Sequence, residues 1–226
     1  MLPAPDRHPR LGAARLYLVC EARPHGSDPE PLLEAALEGG TGMLELREKS
    51  AEDDSWLIEH SRPFREAAEH HRVPFILNDR PDLVGDCGAD GVHVGQHDTP
   101  VTEARARLCD EHLIGLSTHS AAQVDAACSA PPPARPDYIS VGPVWETPTK
   151  EERPAAGLEL VEHAAREATL PWFAIGGINP SNVDDVVAAG AERIVVVRAL
   201  RDASDPAAVA RGLREAIDAG AEVWRG

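Results

Sequence analysis

The chain has 226 residues, enough to bury one large core, and a formal net charge of −16, which disfavours nucleic acid and anionic membrane surfaces as partners. Four cysteines, Cys20, Cys87, Cys109 and Cys128, show neither a C-x-x-C pair nor a disulfide-framework spacing, so buried thiols in a reducing, cytoplasmic compartment are expected. No stretch approaches the roughly 20 apolar residues of a membrane span, and the Pro- and Arg-rich start has no apolar run of signal-peptide length.

After an expected flexible tail over 1–14, Arg15 to Cys20 (RLYLVC) reads as the first strand, and Asp28-Pro29 starts a helix running to Gly39-Gly40. Met43 to Lys49 alternates Leu44 and Leu46 with Glu45, Arg47 and Lys49. In a barrel this alternation turns the leucines out under helices and sends the charged set up the inside towards the mouth. Glu52 to His71 is a long amphipathic helix with Trp56, Leu57, Phe64, Ala67 and Ala68 inward and His70-His71 as a solvated end. Phe75 to Leu77 has the length of a buried strand; it stops at Asn78-Asp79-Arg80, and Pro81 opens a helix. Gly91 to Val94 is the next strand, closing on Gly95-Gln96-His97-Asp98.

A helix follows over Val101 to Cys109, then a strand over His112 to Leu116, a helix to Ser129 capped by Ser120, and a strand over Asp137 to Val141. Gly142 to Gly157 is the longest and most polar connection, of a length that in compact domains usually marks function. Leu158 to Glu167 is a helix, Pro171 to Ile175 a strand, Ser181 to Ala189 a helix with Gly190 as its C-cap, Glu192 to Arg198 a strand, and Asp205 to Ala219 the closing helix. Eight strands alternating with eight helices predict an α/β fold, a single (β/α)8 TIM barrel over 15–220 between tails 1–14 and 221–226. An open doubly wound sheet is the alternative.

A TIM barrel carries its site at the C-terminal ends of its strands. There the sequence collects Arg47 and Lys49, Asn78 and Asp79, His93, Asp98, Ser117, Thr147 to Lys150, Gly176-Gly177 and Arg198. Asp79 and Asp98, at one end of neighbouring strands, offer hard oxygens that suit Mg²⁺ with bound waters and phosphates rather than Zn²⁺. His93 and His97 lie across Gly95 and not on one helix face, which argues against a zinc pair. Among 22 basic residues only Lys49 and Lys150 are lysines, and an ammonium is a compact, rotatable charge that a guanidinium does not imitate. Gly176-Gly177 leads into a helix N-terminus, where anions are favoured, and Arg198 adds a permanent charge beside it. Each residue also has a plain reading: Asp79 as a cap of the helix after Pro81, Ser117 as a turn residue, Gly-Gly as a helix-start turn.

ELREK at 45–49, NDR at 78–80, GADGVHVGQHD at 88–98, GLSTHS at 115–120, VGPVWETPTK at 141–150 and AIGGI at 174–178 resemble, in order and spacing, the thiamine phosphate synthase family. The resemblance implies a Mg²⁺-dependent transfer between two small-molecule substrates. A hydroxymethylpyrimidine diphosphate loses pyrophosphate, and the ring nitrogen of a thiazole phosphate joins its methylene carbon. By position it implies Arg47, Lys49, Asn78 and Lys150 on the diphosphate and Asp79 and Asp98 on the metal. Ser117 and His93 would lie near the aminopyrimidine, and Thr147, Thr149, Gly177, Val197 and Arg198 at the thiazole phosphate. Two positions depart from the family pattern: Glu45, where Gln is usual and where the acid is expected to tune affinity, and Arg198, where Ser is common. The rival readings are a thiazole tautomerase-like isomerase with His119 as acid or base, and a non-catalytic phosphate-binding barrel.

Overall fold

The computed structural model describes residues 9–146 and 155–225. Eight parallel strands pair in sequence order and the last returns to the first, closing a barrel. They are β1 (Leu16–Cys20), β2 (Met43–Leu46), β3 (Phe75–Asn78), β4 (Gly91–Val94), β5 (Leu113–Thr118), β6 (Tyr138–Val141), β7 (Trp172–Ile175) and β8 (Ile194–Val196). The helices outside are α1 (Pro9–Ala13), α2 (Glu30–Glu38), α3 (Asp54–His71), α4 (Val84–Cys87), α5 (Val101–Arg107), α6 (Ala121–Ser129), α7 (Gly157–Glu167), α8 (Val183–Ala188), α9 (Arg198–Arg201) and α10 (Pro206–Arg225). The (β/α)8 expectation therefore holds, and the open sheet is excluded by the β1–β8 pairing. Among the described residues no helix is long and apolar enough to cross a membrane.

Alternation along each strand divides two cores. Leu16, Leu18, Leu44, Leu46, Phe75, Leu77, Val92, Val94, Ile194 and Val196 pack under the helices. Tyr17, Val19, Met43, Ile76, Leu113, Tyr138, Phe173 and Val195 fill the lumen. Parallel strands covered by helices show this division because successive side chains point to opposite faces. Glu45 shares the inward parity of Met43 and is 3% exposed, as the alternation in MLELREK predicted.

Several expectations need correction. The stretch 9–14 is not a tail: α1 places Leu11, 1% exposed, and Ala14, fully buried, against the lumen core, closing the barrel's lower end. At the other terminus α10 runs through to Arg225, so 221–225 continues a helix. Pro81 does not open a helix; a turn follows it and α4 begins at Val84. Arg198 is not the end of β8, which stops at Val196, but the first residue of α9. Cys109 is exposed, its Sγ 2.8 Å from His112 Nδ1, whereas the other three thiols are buried. His71 is no free helix end, since its Nε2 lies 2.8 Å from Glu34 Oε2.

Candidate active site

The inner wall of the barrel mouth is built by register. Asn78, His93, Gly115 and Tyr138 stand side by side on β3 to β6, and Ser117 pairs with Ser140 one step higher. Above them opens a cavity of about 330 Å³, lined among others by Glu45, Arg47, Asn78, His93, Ser117, Gly176, Gly177, Val197 and Arg198. The structure thus brings together on one cavity nine of the predicted residues, drawn from six strands and the turns that follow them.

The acidic pair does not line this cavity, and neither does Lys49; the pair lies just beyond the ends of β3 and β4, next to the cavity-lining Asn78. Asp79 leaves β3 in the left-handed region, φ 61°, with its amide donating to His93 O at 2.9 Å. Asp tolerates that conformation better than most residues, and a backbone so constrained fixes where the carboxylate points. The carboxylate is bonded to the Lys49 ammonium from the neighbouring rim. Asp98 reaches the same place from the loop after β4, its Oδ2 accepting the Gly95 amide at 2.8 Å. Gly95 permits this approach, because a Cβ there would stand 2.6 Å from Asp98 Oδ2. The Asp79 carboxyl is held above the ordinary aspartate range, first by burial and also by the like charge and hydrogen bonding of Asp98, against the opposing pull of Lys49. Asp79 is therefore not a helix cap, and the two carboxylates share one location.

Deeper in, the polar groups are mutually satisfied. Tyr17 Oη donates to Glu45 Oε2, and the Tyr17 and Tyr138 hydroxyls are 3.3 Å apart. His93 Nδ1 lies 3.2 Å from Tyr138 Oη, and its Nε2 lies 3.0 Å from Ser117 Oγ. Ser117 is thus not a turn residue but an inward member of β5, with its carbonyl accepting Gln96 Nε2 at 2.6 Å. His97 is exposed and away from this network, while His93 is committed to it. His119 Nδ1 lies 2.6 Å from the Gly142 carbonyl at the root of the long connection.

The opposite side of the cavity is the glycine corner. Gly176 and Gly177 have φ of 108° and 71°, and a Cβ on Gly176 would meet Pro143 Cα at 2.5 Å. Only glycine suits such a position. The Gly177 carbonyl accepts the side-chain amides of Asn179 and Asn182, both at 3.0 Å, which holds the turn that faces the cavity. The long connection is stitched at both ends: Trp145 N donates to Gly176 O at 3.1 Å and Ala156 N to Pro143 O at 2.7 Å. Thr147, Thr149 and Lys150 lie outside the described residues. Sequence reasoning passed over Tyr17, Tyr138, Ser140, Gln96 and Asn182; for the tyrosines the only signal was a hydroxyl at an inward position of an apolar strand.

Comparison with known proteins places the chain in a family. The family model described as thiamine monophosphate synthase matches residues 16–200. The chain is 47% identical to the thiamine-phosphate synthase of Arthrobacter sp. (strain FB24), over 93% of this chain and 97% of that one. It is also 47% identical to that of Thermobifida fusca (strain YX), over 94% and 96%. Among solved structures it resembles a thiamine phosphate pyrophosphorylase from Pyrococcus furiosus, with 26% identity, a TM-score of 0.81 and coverage of 93% and 98%.

Proposed function

This chain belongs to the thiamine monophosphate synthase family, and from that premise we propose that it is a Mg²⁺-dependent thiamine-phosphate synthase. It would join 4-amino-2-methyl-5-hydroxymethylpyrimidine diphosphate to thiazole phosphate. The C–O bond between methylene and diphosphate breaks, the thiazole nitrogen bonds to that carbon, and thiamine phosphate and pyrophosphate leave.

The observation that carries this reading is the convergence of Asp79 and Asp98 beyond the ends of β3 and β4, with Lys49 on one of them. Two carboxylates close enough to raise the proton affinity of one are a fitting donor set for a single hard cation. When bound there, Mg²⁺ supplies charge neutralisation for the phosphoryl oxygens. Arg47, Lys49, Asn78 and Lys150 would take the diphosphate, and Lys and Arg stabilise the growing negative charge on pyrophosphate without moving a proton. Glu45, His93 and Ser117 would hold the pyrimidine at the inner end. Thr147, Thr149, Gly177, Val197 and Arg198 would take the thiazole phosphate. With an aminopyrimidine able to stabilise a cationic methylene, the protein's task is placement of two rings.

The test is to incubate the chain with both substrates and Mg²⁺ and measure products. Equal amounts of thiamine phosphate and pyrophosphate, abolished by a chelator, are expected. Tautomerisation of a thiazole carboxylate phosphate without condensation would select the isomerase, and binding without turnover the silent barrel; either would overturn the reading.

A further inference from the structure

The buried polar groups under the cavity form a line with a countable number of protons. Tyr17 has one, and it goes to Glu45 Oε2. The 3.3 Å contact between the two phenols must then use the proton of Tyr138, with Tyr17 Oη accepting. Tyr138 Oη, its own proton spent, accepts from His93 Nδ1–H at 3.2 Å. A neutral imidazole protonated on Nδ1 is an acceptor on Nε2, and of the two hydroxyls in reach Ser117 Oγ, at 3.0 Å, is nearer than Ser140 Oγ, at 3.4 Å, so Ser117 Oγ–H donates to Nε2. Ser140, with its Oγ 3.5 Å from Ser117 Oγ, stands behind that hydroxyl as a donor. The direction is set by Tyr17, whose single hydroxyl proton is donated to Glu45 Oε2.

The fold makes room for this line. Gly115 faces inward between His93 and Tyr138, and a Cβ there would stand 2.3 Å from His93 Nδ1 and 2.2 Å from Tyr138 Cζ. Tyr17 is 1% exposed and Tyr138 is fully buried. Burial, followed by the charge of Glu45, pushes both phenols well above the ordinary tyrosine range, which keeps their protons in place.

We propose that Glu45, Tyr17, Tyr138 and His93 form a one-way hydrogen-bond relay that makes Glu45 and Ser117 acceptors towards the cavity. Tyr17 and Tyr138 thereby act as positioning residues that select an amino-substituted ring over its oxo analogue. Glu45 and Ser117 line the cavity, as does Tyr17, whereas Tyr138 does not, so Tyr138 works through its neighbours and the Tyr17 hydroxyl through Glu45, to which it donates. An amine brings donors to these acceptors. An oxo group brings lone pairs to lone pairs, and buried acceptors left unpaired discriminate strongly. With glutamine at position 45, which both donates and accepts, the line has no fixed direction. The identity of the ring rests on the proposed function; the direction of the relay does not.

Two measurements on the full chain test this. The first is ¹⁵N NMR of the His93 imidazole, expected to show a neutral ring with its proton on Nδ1. The second is calorimetric binding of the aminopyrimidine diphosphate against its 4-oxo analogue, without thiazole phosphate. A preference of at least about 100-fold for the amine is expected, narrowing at least about tenfold in both Tyr138→Phe and Glu45→Gln. In Tyr138→Phe the Nδ1 proton loses its acceptor and the tautomer balance should shift, a change that loss of packing alone would not produce. A proton on Nε2 in the wild-type chain, or an unchanged preference in Glu45→Gln, would overturn the relay. If neither variant folds, the wild-type NMR result still decides. Should the chain bind the amine selectively with His93 as described yet make no thiamine phosphate, the proposed function fails and the relay stands.

Discussion

The Lys49 ammonium, above β2, is bonded to the Asp79 carboxylate at the end of β3, and that carboxylate also feels the charge of Asp98 beyond β4. One lysine therefore offsets one of two converging negative charges. A cation held by Asp79 under the proposed function would compete with Lys49 for that carboxylate and would free the ammonium for the diphosphate. The proposed metal and diphosphate sites would in this way be parts of one charge balance. Lys49→Met should accordingly move two quantities in opposite directions. Mg²⁺ should bind the substrate-free protein up to about fivefold more tightly, as expected for loss of a half-exposed competitor worth up to about 1 kcal/mol, while turnover falls. Calorimetric Mg²⁺ titration beside steady-state kinetics checks this, and weaker Mg²⁺ binding in the variant would count against the competition.

Asp79→Ala and Asp98→Ala should each cut Mg²⁺-dependent turnover by about 100-fold or more, with the circular dichroism spectrum unchanged. Asp79→Asn adds a stability signature. The folded protein raises this carboxyl above its ordinary value, through burial and then Asp98. Its favourable contribution is therefore complete below the unfolded pKa of about 4 and is lost as pH rises through the folded value. At neutral pH the ionised group costs stability in the metal-free protein, so Asp79→Asn should melt at or above the wild-type temperature at pH 7, the gap closing below pH about 4. A variant that melts lower at pH 7 would show that the Lys49 pair outweighs burial and repulsion.

The chain contains two tyrosines, and both lie in the relay, so alkaline titration reads it directly. Their folded values are raised well above 10, first by burial and then by Glu45. The neutral phenols support the fold fully below about pH 10, and that support is lost as pH rises from the unfolded towards the folded value, by about 1.4 kcal/mol per pH unit for each phenol. Tyrosinate absorbance should stay flat in the native protein and appear together with cooperative unfolding. Tyrosinate rising before the far-ultraviolet signal changes would show a phenol open to solvent.

What could be read from the sequence followed from period and punctuation. Glu45 was legible as a lumen residue because Leu44 and Leu46 flank it at period two. Asp79 and Asp98 were legible because apolar runs ended in carboxylates. Tyr17 and Tyr138 were not, because an aromatic ring inside an apolar strand reads as packing and its hydroxyl partners lie 28 and more residues away. Arg198 was misplaced because the run IVVV carries on past the strand: Val197 already turns, with φ −120° and ψ −85°, and caps α9. Pro9–Ala13 escaped because five residues rich in Pro and Arg look like solvent-facing chain, and only the closed barrel supplies the apolar floor that Leu11 fills.

That floor gives the last prediction. Leu11 is 1% exposed within the lumen core, whereas its neighbour Arg10 is exposed and pairs with Asp90 at 2.5 Å. Truncating a buried leucine costs about 2–5 kcal/mol, and for a chain of this size each kcal/mol lowers Tm by about 2–4 °C. Leu11→Ala should therefore melt about 5–15 °C below wild type. Arg10→Ala removes an exposed ion pair worth at most about 1 kcal/mol and should shift Tm by no more than about 4 °C. Asp90 keeps a partner in that variant, because its Oδ2 accepts the Phe75 amide at 2.9 Å. Scanning calorimetry of the two variants separates a helix that plugs the barrel from one merely laid across it: equal small shifts would mean that Leu11 adds little to the core.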